Sequence, residues 1–505
     1  MTTEVRETED VATRAGRGTL YITGSKLWFM ATGAALYFVL PRLVSPASLG
    51  VYKVVIGLVS VINAVVVTGT VQTVSKFVSQ TPELADAIKR KALLLQCVLG
   101  GGAAAVFALA APLVARSLND DSLTPYLRLA ALITASYAFY AVFVGVLNGR
   151  KEFLKQAAID AFYSTAKLVL IIAFTIAMGY TLTGAISGFA AAAFAALVIG
   201  AIVVGLRGRA EDAPVGFGNL LQFQVALIVF LLVNNLLMKT DLLIVKGTIS
   251  PDPQAASEAA GIYGAALDFA YIVFQIIVSI TFVIFPIVSE AAFRDNLDAV
   301  RGYVRETVRA TLVICALPAV IFSANAAEVL HLVYPPEYAT GAPALRIVAI
   351  GMLSFAVITV LCSVISSTGR PWVSVAVVAV TLAIDAGLNL ALVPRYGLVG
   401  AAVGTTIAMA VGAVAGAVVV SSRFGAIVAP LTVVRVAIAS AVVYALALVV
   451  PLESLVAPLG GSLLPKLAVA AECALLGIVY LAVLVAVREI GGNELRLARK
   501  IAGIQ

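Results

Sequence analysis

Charge is what this sequence has least of. Only 12% of its 505 residues are Asp, Glu, Lys or Arg, against 61% hydrophobic residues and a mean hydropathy of +1.05. A soluble domain carries roughly twice that charged share, so an ordinary soluble fold is excluded and lipid is the expected solvent. Histidine is reduced to one residue, His331, in a loop before Tyr334-Pro-Pro-Glu337. Four cysteines, Cys97, Cys315, Cys362 and Cys473, sit inside apolar runs without C-x-x-C spacing, which argues against a disulfide framework or a thiolate metal site. P-loop, dinucleotide-turn, H-E-x-x-H and G-x-S-x-G motifs are all missing, so no nucleotide-driven engine is written into the chain. No loop is long enough for a soluble catalytic domain; the longest on the outer side runs about 246–259.

What is present is a series of apolar runs, each long enough at about 20 residues to cross the hydrocarbon core as a helix. About fourteen can be read, near 19–40, 49–73, 92–115, 124–147, 157–178, 183–206, 219–245, 260–286, 307–323, 344–366, 372–393, 397–420, 430–450 and 466–487. The expected fold is therefore all-α and polytopic. Lys and Arg favour one set of alternate loops by roughly three to one, which requires an even number of spans with both termini on the cytoplasmic side. The first eighteen residues are polar and lack the basic-then-apolar order of a signal peptide. The net charge of +7 is spread over short loops, a pattern of topological markers and anionic-lipid contacts rather than of nucleic-acid binding.

The chain is also written twice. Tyr180-Thr-Leu-Thr-Gly184-Ala-Ile-Ser-Gly188 returns as Tyr396-Gly-Leu-Val-Gly400-Ala-Ala-Val-Gly404, and Gly50-Val-Tyr52 returns as Gly261-Ile-Tyr263. Six spans per copy give both copies the same orientation, related by a pseudo-two-fold axis along the membrane normal. The expected organisation is a cytoplasmic tail at 1–18, an N-lobe at 19–206, a linker at 207–218, a C-lobe at 219–420, extra spans at 430–487 and a second tail at 488–505. Duplicated membrane bundles of this kind usually enclose a central site that opens to alternate sides, which is the logic of a transporter. A further likeness, Ala158-Ile-Asp-Ala161 with Ala383-Ile-Asp-Ala386, is out of register with the others and reads as chance.

Ionisable residues inside spans cost roughly 2.5–3.5 kcal/mol each on insertion scales, so they mark cavities or pairs. Lys26, Lys53 and Lys167 fall in the first half; Asp241, Asp268 and Asp385, with Lys239 beside them, fall in the second. Lysines lining a cavity suit a phosphate or pyrophosphate as point charges. The aspartates suit pairing with those lysines, or binding of a proton or Na⁺; no other cofactor is expected. Each has a structural alternative. Lys53 is close enough to the span end to snorkel, Lys167 and Asp385 can form buried structural pairs, and Asp241 and Asp268 can be solvated at outer ends. Glu472, in the last span, has no evident role.

Leu49-Gly-Val-Tyr52 through Ser75-Lys76, Gly145-Val-Leu-Asn-Gly149, Lys239-Thr-Asp241, Gly261-Ile-Tyr263 through Phe285-Pro286-Ile-Val-Ser289-Glu290 and Asn389-Leu-Ala-Leu-Val-Pro394 through Gly400-Ala-Ala together resemble the polysaccharide-biosynthesis branch of the multidrug/oligosaccharidyl-lipid/polysaccharide flippase superfamily. The resemblance implies a flippase, not an enzyme. It would move an undecaprenyl-pyrophosphate-linked oligosaccharide across the inner membrane by alternating access, beside glycosyltransferases and a polymerase or ligase. It also implies head-group binding by first-lobe basic residues, which maps onto Lys26 and Lys53. The alternatives it leaves are a cation-coupled drug exporter of the same superfamily, which would want acidic first-lobe residues, and a lipid II flippase, whose cavity is richer in arginine.

Overall fold

The computed structural model describes residues 2–208, 217–294, 296–425, 429–449 and 463–491. Most of the expected linker, the segment 451–462 and the tail beyond 491 lie outside the described residues. In chain order the helices are α1 (Thr2–Leu43), α2 (Pro46–Asn63), α3 (Gly69–Gln80), α4 (Ala85–Ser117), α5 (Leu123–Gly149), α6 (Phe153–Ala177), α7 (Leu182–Val204), α8 (Phe217–Thr248), α9 (Pro253–Phe293), α10 (Leu297–Ala324), α11 (Ala326–Val333), α12 (Ala342–Ser367), α13 (Pro371–Phe424), α14 (Pro430–Val449) and α15 (Leu463–Ala486). A π-helical turn, Ala64–Thr68, joins α2 to α3. Local chemistry sets the ends. Ser45 accepts the Ser48 amide ahead of Pro46 at the start of α2, Thr181 caps α7, and Gly205 and Gly425, at φ +78° and +84°, end α7 and α13.

Twelve helices among the described residues are long and apolar enough to cross a membrane. They account for thirteen of the fourteen expected runs, because α13 carries both 372–393 and 397–420, folded back at Gly397 (φ +59°, ψ −138°). The remaining run, 19–40, lies in α1, where Lys26 and a share of Gly, Thr, Trp and Tyr dilute the hydropathy. All fourteen runs are therefore helical.

The chain packs as two compact units, residues 1–239 with 246–261, and residues 240–245 with 262–505. Helix α5 is the most enclosed span of the first unit, and its Gly145 and Gly149 explain how. A Cβ on Gly145 would come within 2.7 Å of Val74 Cβ, and one on Gly149 within 2.6 Å of Val78 Cβ, so the small-xxx-small face of α5 receives α3 directly. The turns between helices gather in two groups, as alternate crossing demands. Turns at 45–48, 116–126, 180–182 and 251–257 line one concavity. At the other end Asp86 receives Lys89 and Arg150 at 2.8 and 3.0 Å and lies under Gly208.

In the second unit, Val436, Ala439 and Val443 of α14 and Leu476, Tyr480 and Leu484 of α15 pack with Ala316, Val320 and Ile321 of α10. The two extra spans are thus fastened to α10. Just past α15, Glu489 accepts Arg309 Nε at 2.7 Å, Thr432 Oγ1 at 3.1 Å and Arg435 at 3.3 Å. Burial opposes its ionisation, but these donors outweigh burial and hold the carboxyl below its usual value.

The repeated motif has a common packing role. Cβ atoms on Gly184 and Gly188 would lie 2.4 and 2.3 Å from the carbonyl oxygens of Phe174 and Leu170, and one on Gly400 would lie 2.4 Å from that of Leu392. Helix α7 crosses α6 backbone to backbone, and the two halves of α13 do the same. The Gly50 and Gly261 pair meet each other. A Cβ on Gly261 would sit 2.1 Å from the Pro46 carbonyl, and one on Gly50 would sit 1.8 Å from that of Ser257.

Gly188→Ile and Gly400→Val should each destabilise the detergent-solubilised protein by about 1–3 kcal/mol through forced helix separation. Gly477→Ala, where no neighbour lies within 4 Å, should leave the melting temperature unchanged. Because the Glu489 carboxyl is depressed in the folded state, its contribution is present above the ordinary glutamate range, at about pH 4.3, and lost as pH falls through the folded value. Thermal scans of wild type and Glu489→Gln should therefore differ at neutral pH and converge as the pH falls below the ordinary glutamate range.

Candidate functional site

In the first unit, α1, α5 and α6 enclose a cavity of about 300 Å³ lined by Ser25, Lys26, Phe29, Tyr137, Tyr140, Asp160 and Tyr163. Helix α1 is held to α6 by a hydrogen bond from Trp28 Nε1 to Thr165 Oγ1 at 2.9 Å, which turns the Lys26 and Phe29 face inward. Tyr140 donates to Asp160 Oδ1 at 3.0 Å, and Lys26 is within electrostatic reach of that carboxylate. Tyr137 and Tyr163 are hydrogen-bonded through their hydroxyls, and the Phe29 and Tyr163 rings stack at 6.4 Å.

Lys167 stands on the same wall, one turn beyond Tyr163. Its ammonium lies 4.8, 5.5 and 5.9 Å from the ring centroids of Phe29, Phe189 and Tyr163, all within cation–π range. It makes no ion pair among the described residues. Three aromatic faces stabilise the charge in place of a counter-carboxylate, so Lys26 and Lys167 share one site through Phe29. Lys53 is elsewhere. Its ammonium lies 5.7 Å over the Tyr37 ring, eleven residues along α1 from Lys26 and thus about 16 Å away in level.

In the second unit Asp385 is wholly buried on the first half of α13. Asn389 Nδ2 donates to its Oδ1 at 2.9 Å and reaches Thr405 Oγ1 at 3.2 Å. Among the described residues, Asp385 Oδ2 and Asn389 Oδ1 are buried without a hydrogen-bond partner of good geometry, although Thr405 lies within reach of the Asp385 carboxylate. Asp241, 2% exposed, accepts the Tyr263 hydroxyl at 2.9 Å and lies within electrostatic reach of Asp385. Two carboxylates, an amide oxygen and a hydroxyl in apolar surroundings are a donor set for a proton or a small monovalent cation. Asp268 is apart from them, accepting the Tyr334 hydroxyl at the loop that follows α11. The stem of Lys239 lies over Gly57 of α2, with Cδ 3.6 Å from where a Cβ would stand.

The repeat aligns these two sites. Lys167 stands seven residues before the Phe174 carbonyl that Gly184 approaches, and Asp385 stands seven before the Leu392 carbonyl that Gly400 approaches. One position of the duplicated hairpin carries lysine in one copy and aspartate in the other. Sequence reasoning passed over Asp160, Tyr137, Tyr140, Tyr163, Asn389 and Thr405. The signal for the first four was available: Asp160, Tyr163 and Lys167 fall at i, i+3 and i+7 on one helical face, and Tyr137 and Tyr140 at i and i+3. Glu472, singled out in the sequence without a role, is 4% exposed on α15.

Comparison with known proteins agrees with this architecture. An inward closed structure of the lipid II flippase MurJ superposes with a TM-score of 0.69 at 13% identity, covering 94% of this chain and 99% of that one. An inward-facing multidrug resistance MATE family transporter of the MOP superfamily gives 0.67 at 15% identity, covering 79% and 94%. At such identities the likeness is one of fold. A membrane protein of Methanocaldococcus jannaschii is 24% identical over 127 residues, a quarter of each chain. The family model described as polysaccharide biosynthesis protein matches residues 39–340. That match spans more than half of the sequence and includes the first copy of the glycine framework, the Gly261 position, Lys53, Lys167 and Asp241, and the chain belongs to the polysaccharide biosynthesis protein family.

Proposed function

We propose that this chain is a flippase that moves polyprenyl-pyrophosphate-linked oligosaccharide across the inner membrane by alternating access, supplying cell-surface polysaccharide synthesis beside glycosyltransferases and a polymerase or ligase. The observation that carries the reading is the cavity of the first unit, lined by Lys26 and walled by Phe29, the ring against which Lys167 stands. A pyrophosphate needs compact positive charge, and sugar rings need hydroxyl partners and flat apolar faces. The cavity offers both. Lys167 has no carboxylate to give up, so an incoming anion meets a desolvated ammonium without first breaking an ion pair. Lys26 lies near Asp160, and a phosphate would compete with that carboxylate for it. Around 300 Å³ suits the phosphates with the first sugar, not a long glycan.

The cluster of Asp241, Asp385, Asn389 and Thr405 is the proposed coupling site for a proton or Na⁺. Orphaned oxygens on Asp385 and Asn389 would be satisfied by such a cation, and a positive charge beside two carboxylates offsets their repulsion.

In a strain lacking the flippase, Lys26→Ala and Lys167→Ala should each leave membrane insertion intact and lower export at least about tenfold, with lipid-linked intermediate accumulating by mass spectrometry. Lys53→Ala should have the smaller effect. Full complementation by the Lys26/Lys167 double variant would remove the cavity from the mechanism. In reconstituted vesicles, Asp385→Asn should abolish the response of translocation to an imposed Na⁺ or proton gradient while binding of lipid-linked substrate persists. An unchanged gradient response would overturn the coupling assignment.

A further inference from the structure

The turns at one end of the first unit surround a concavity of about 1260 Å³ that the cavity around Lys26 does not reach. Lys26 lies 17 residues before the end of α1, about 26 Å from these turns at 1.5 Å per residue. The floor is rigid. Lys246, wholly buried, binds Asp120 Oδ2 at 2.7 Å and the Pro253 carbonyl at 3.0 Å, and Asn119 donates to the Gly247 carbonyl at 2.7 Å. Asp252 caps α9 through the amides of Gln254 and Ala255 at 3.1 and 3.2 Å. Asp120 and Asp252 are thereby consumed in shaping the walls.

Other lining groups are left open. The side chains of Tyr126, Tyr180 and Gln254 have no hydrogen-bond partner among the described residues, and Arg116 meets Asp121 only at 3.8 Å with both side chains exposed. Tyr180 has a second peculiarity. It holds φ +62°, a conformation that favours glycine, with its ring 57% exposed. An aromatic ring placed in solvent on a strained backbone is better explained by what it contacts than by packing.

The lining also selects the ligand. Arg116 is its single open cation, facing Asp121, so a phosphate finds little net attraction. The walls mix polar and apolar groups in about equal measure, a poor match for an all-apolar acyl chain. What remains is a neutral, hydroxyl-rich molecule with apolar C–H faces. We propose that this concavity is a carbohydrate subsite, with Tyr126 and Tyr180 as ring platforms and Arg116, Asp121 and Gln254 as hydroxyl partners. That its sugars belong to the transported glycan rests on the flippase reading; the binding itself does not.

Saturation-transfer NMR tests this on the full chain in lipid nanodiscs. The probe is the glycan mixture released by mild acid from the lipid-linked pool of the cells that produce the protein. Saturation should reach sugar ring protons for wild type and equally for Lys26→Ala, since the released glycans carry no pyrophosphate. Tyr126→Ala combined with Tyr180→Gly should weaken binding about tenfold, the loss expected of two aromatic contacts. Glycine suits the backbone at position 180, and Gln254→Ala is a second, fully exposed change that should weaken binding without touching the fold. No transfer to wild type, or undiminished transfer in both variants, would overturn the subsite. Translocation measured in parallel separates the two readings: binding without translocation by wild type sinks the flippase and spares the subsite, and translocation without binding does the reverse.

Discussion

The close approach of backbone to backbone at three glycines is the constraint on which the rest of this molecule depends. In lipid, apolar side chains gain little by burying against one another, so helices associate through close contact and local dipoles. Gly184 and Gly188 bring α7 against α6, and Gly400 brings the second half of α13 against the first, with no room for a methyl group at any of the three. Gly404 is looser, 3.3 Å from the Asn389 amide nitrogen. Each hairpin is thereby locked in rotation as well as in distance. Rotation is what matters for function, because it decides which face of α6 carries Lys167 inward and which face of α13 buries Asp385.

A locked frame of this kind lets a duplicated protein change its chemistry without changing its shape. With the hairpins superposed through their glycine contacts, lysine and aspartate occupy the same position of the two copies. Their surroundings differ accordingly. Lys167 is enclosed by the faces of Phe29, Tyr163 and Phe189, which stabilise a cation through their quadrupoles. Asp385 is flanked by Asn389 and Thr405, which offer hydrogen bonds to an anion and oxygen atoms to a cation. Neither environment would tolerate the other charge.

Depth in the membrane was legible in the amino-acid pattern, and azimuth was not. Run length and hydropathy report where a residue lies along a span, so the fourteen expected runs are helical over their described residues and Lys167 and Asp385 fall mid-helix. Which way a side chain points depends on the neighbour that the helix crosses. Hence Lys26 and Lys53, similar on paper, lie about 16 Å apart in level and against different partners. Asp160 lies three residues inside its run, and only the tertiary approach of Tyr140 and Lys26 makes it a cavity wall. Lys246 was read as a loop residue and is fully buried on Asp120, a pairing 126 residues apart that no local pattern announces.

Buried charges in this chain divide by how they are compensated. Lys246 with Asp120, and Glu489 with Arg309 and Arg435, are closed pairs near helix ends, supplemented by carbonyl or hydroxyl donors and acceptors. Removing one member would strand the other, which makes such pairs struts. Lys167 and Asp385 are deeper and compensated incompletely, one by aromatic faces alone and the other with an oxygen left unsatisfied. A charge in that condition is stabilised further by any mobile ion of opposite sign that reaches it, so its equilibrium depends on what the cavity holds. Incomplete compensation at one repeated position therefore leaves each of the two charges open to influence by a mobile ion of opposite sign.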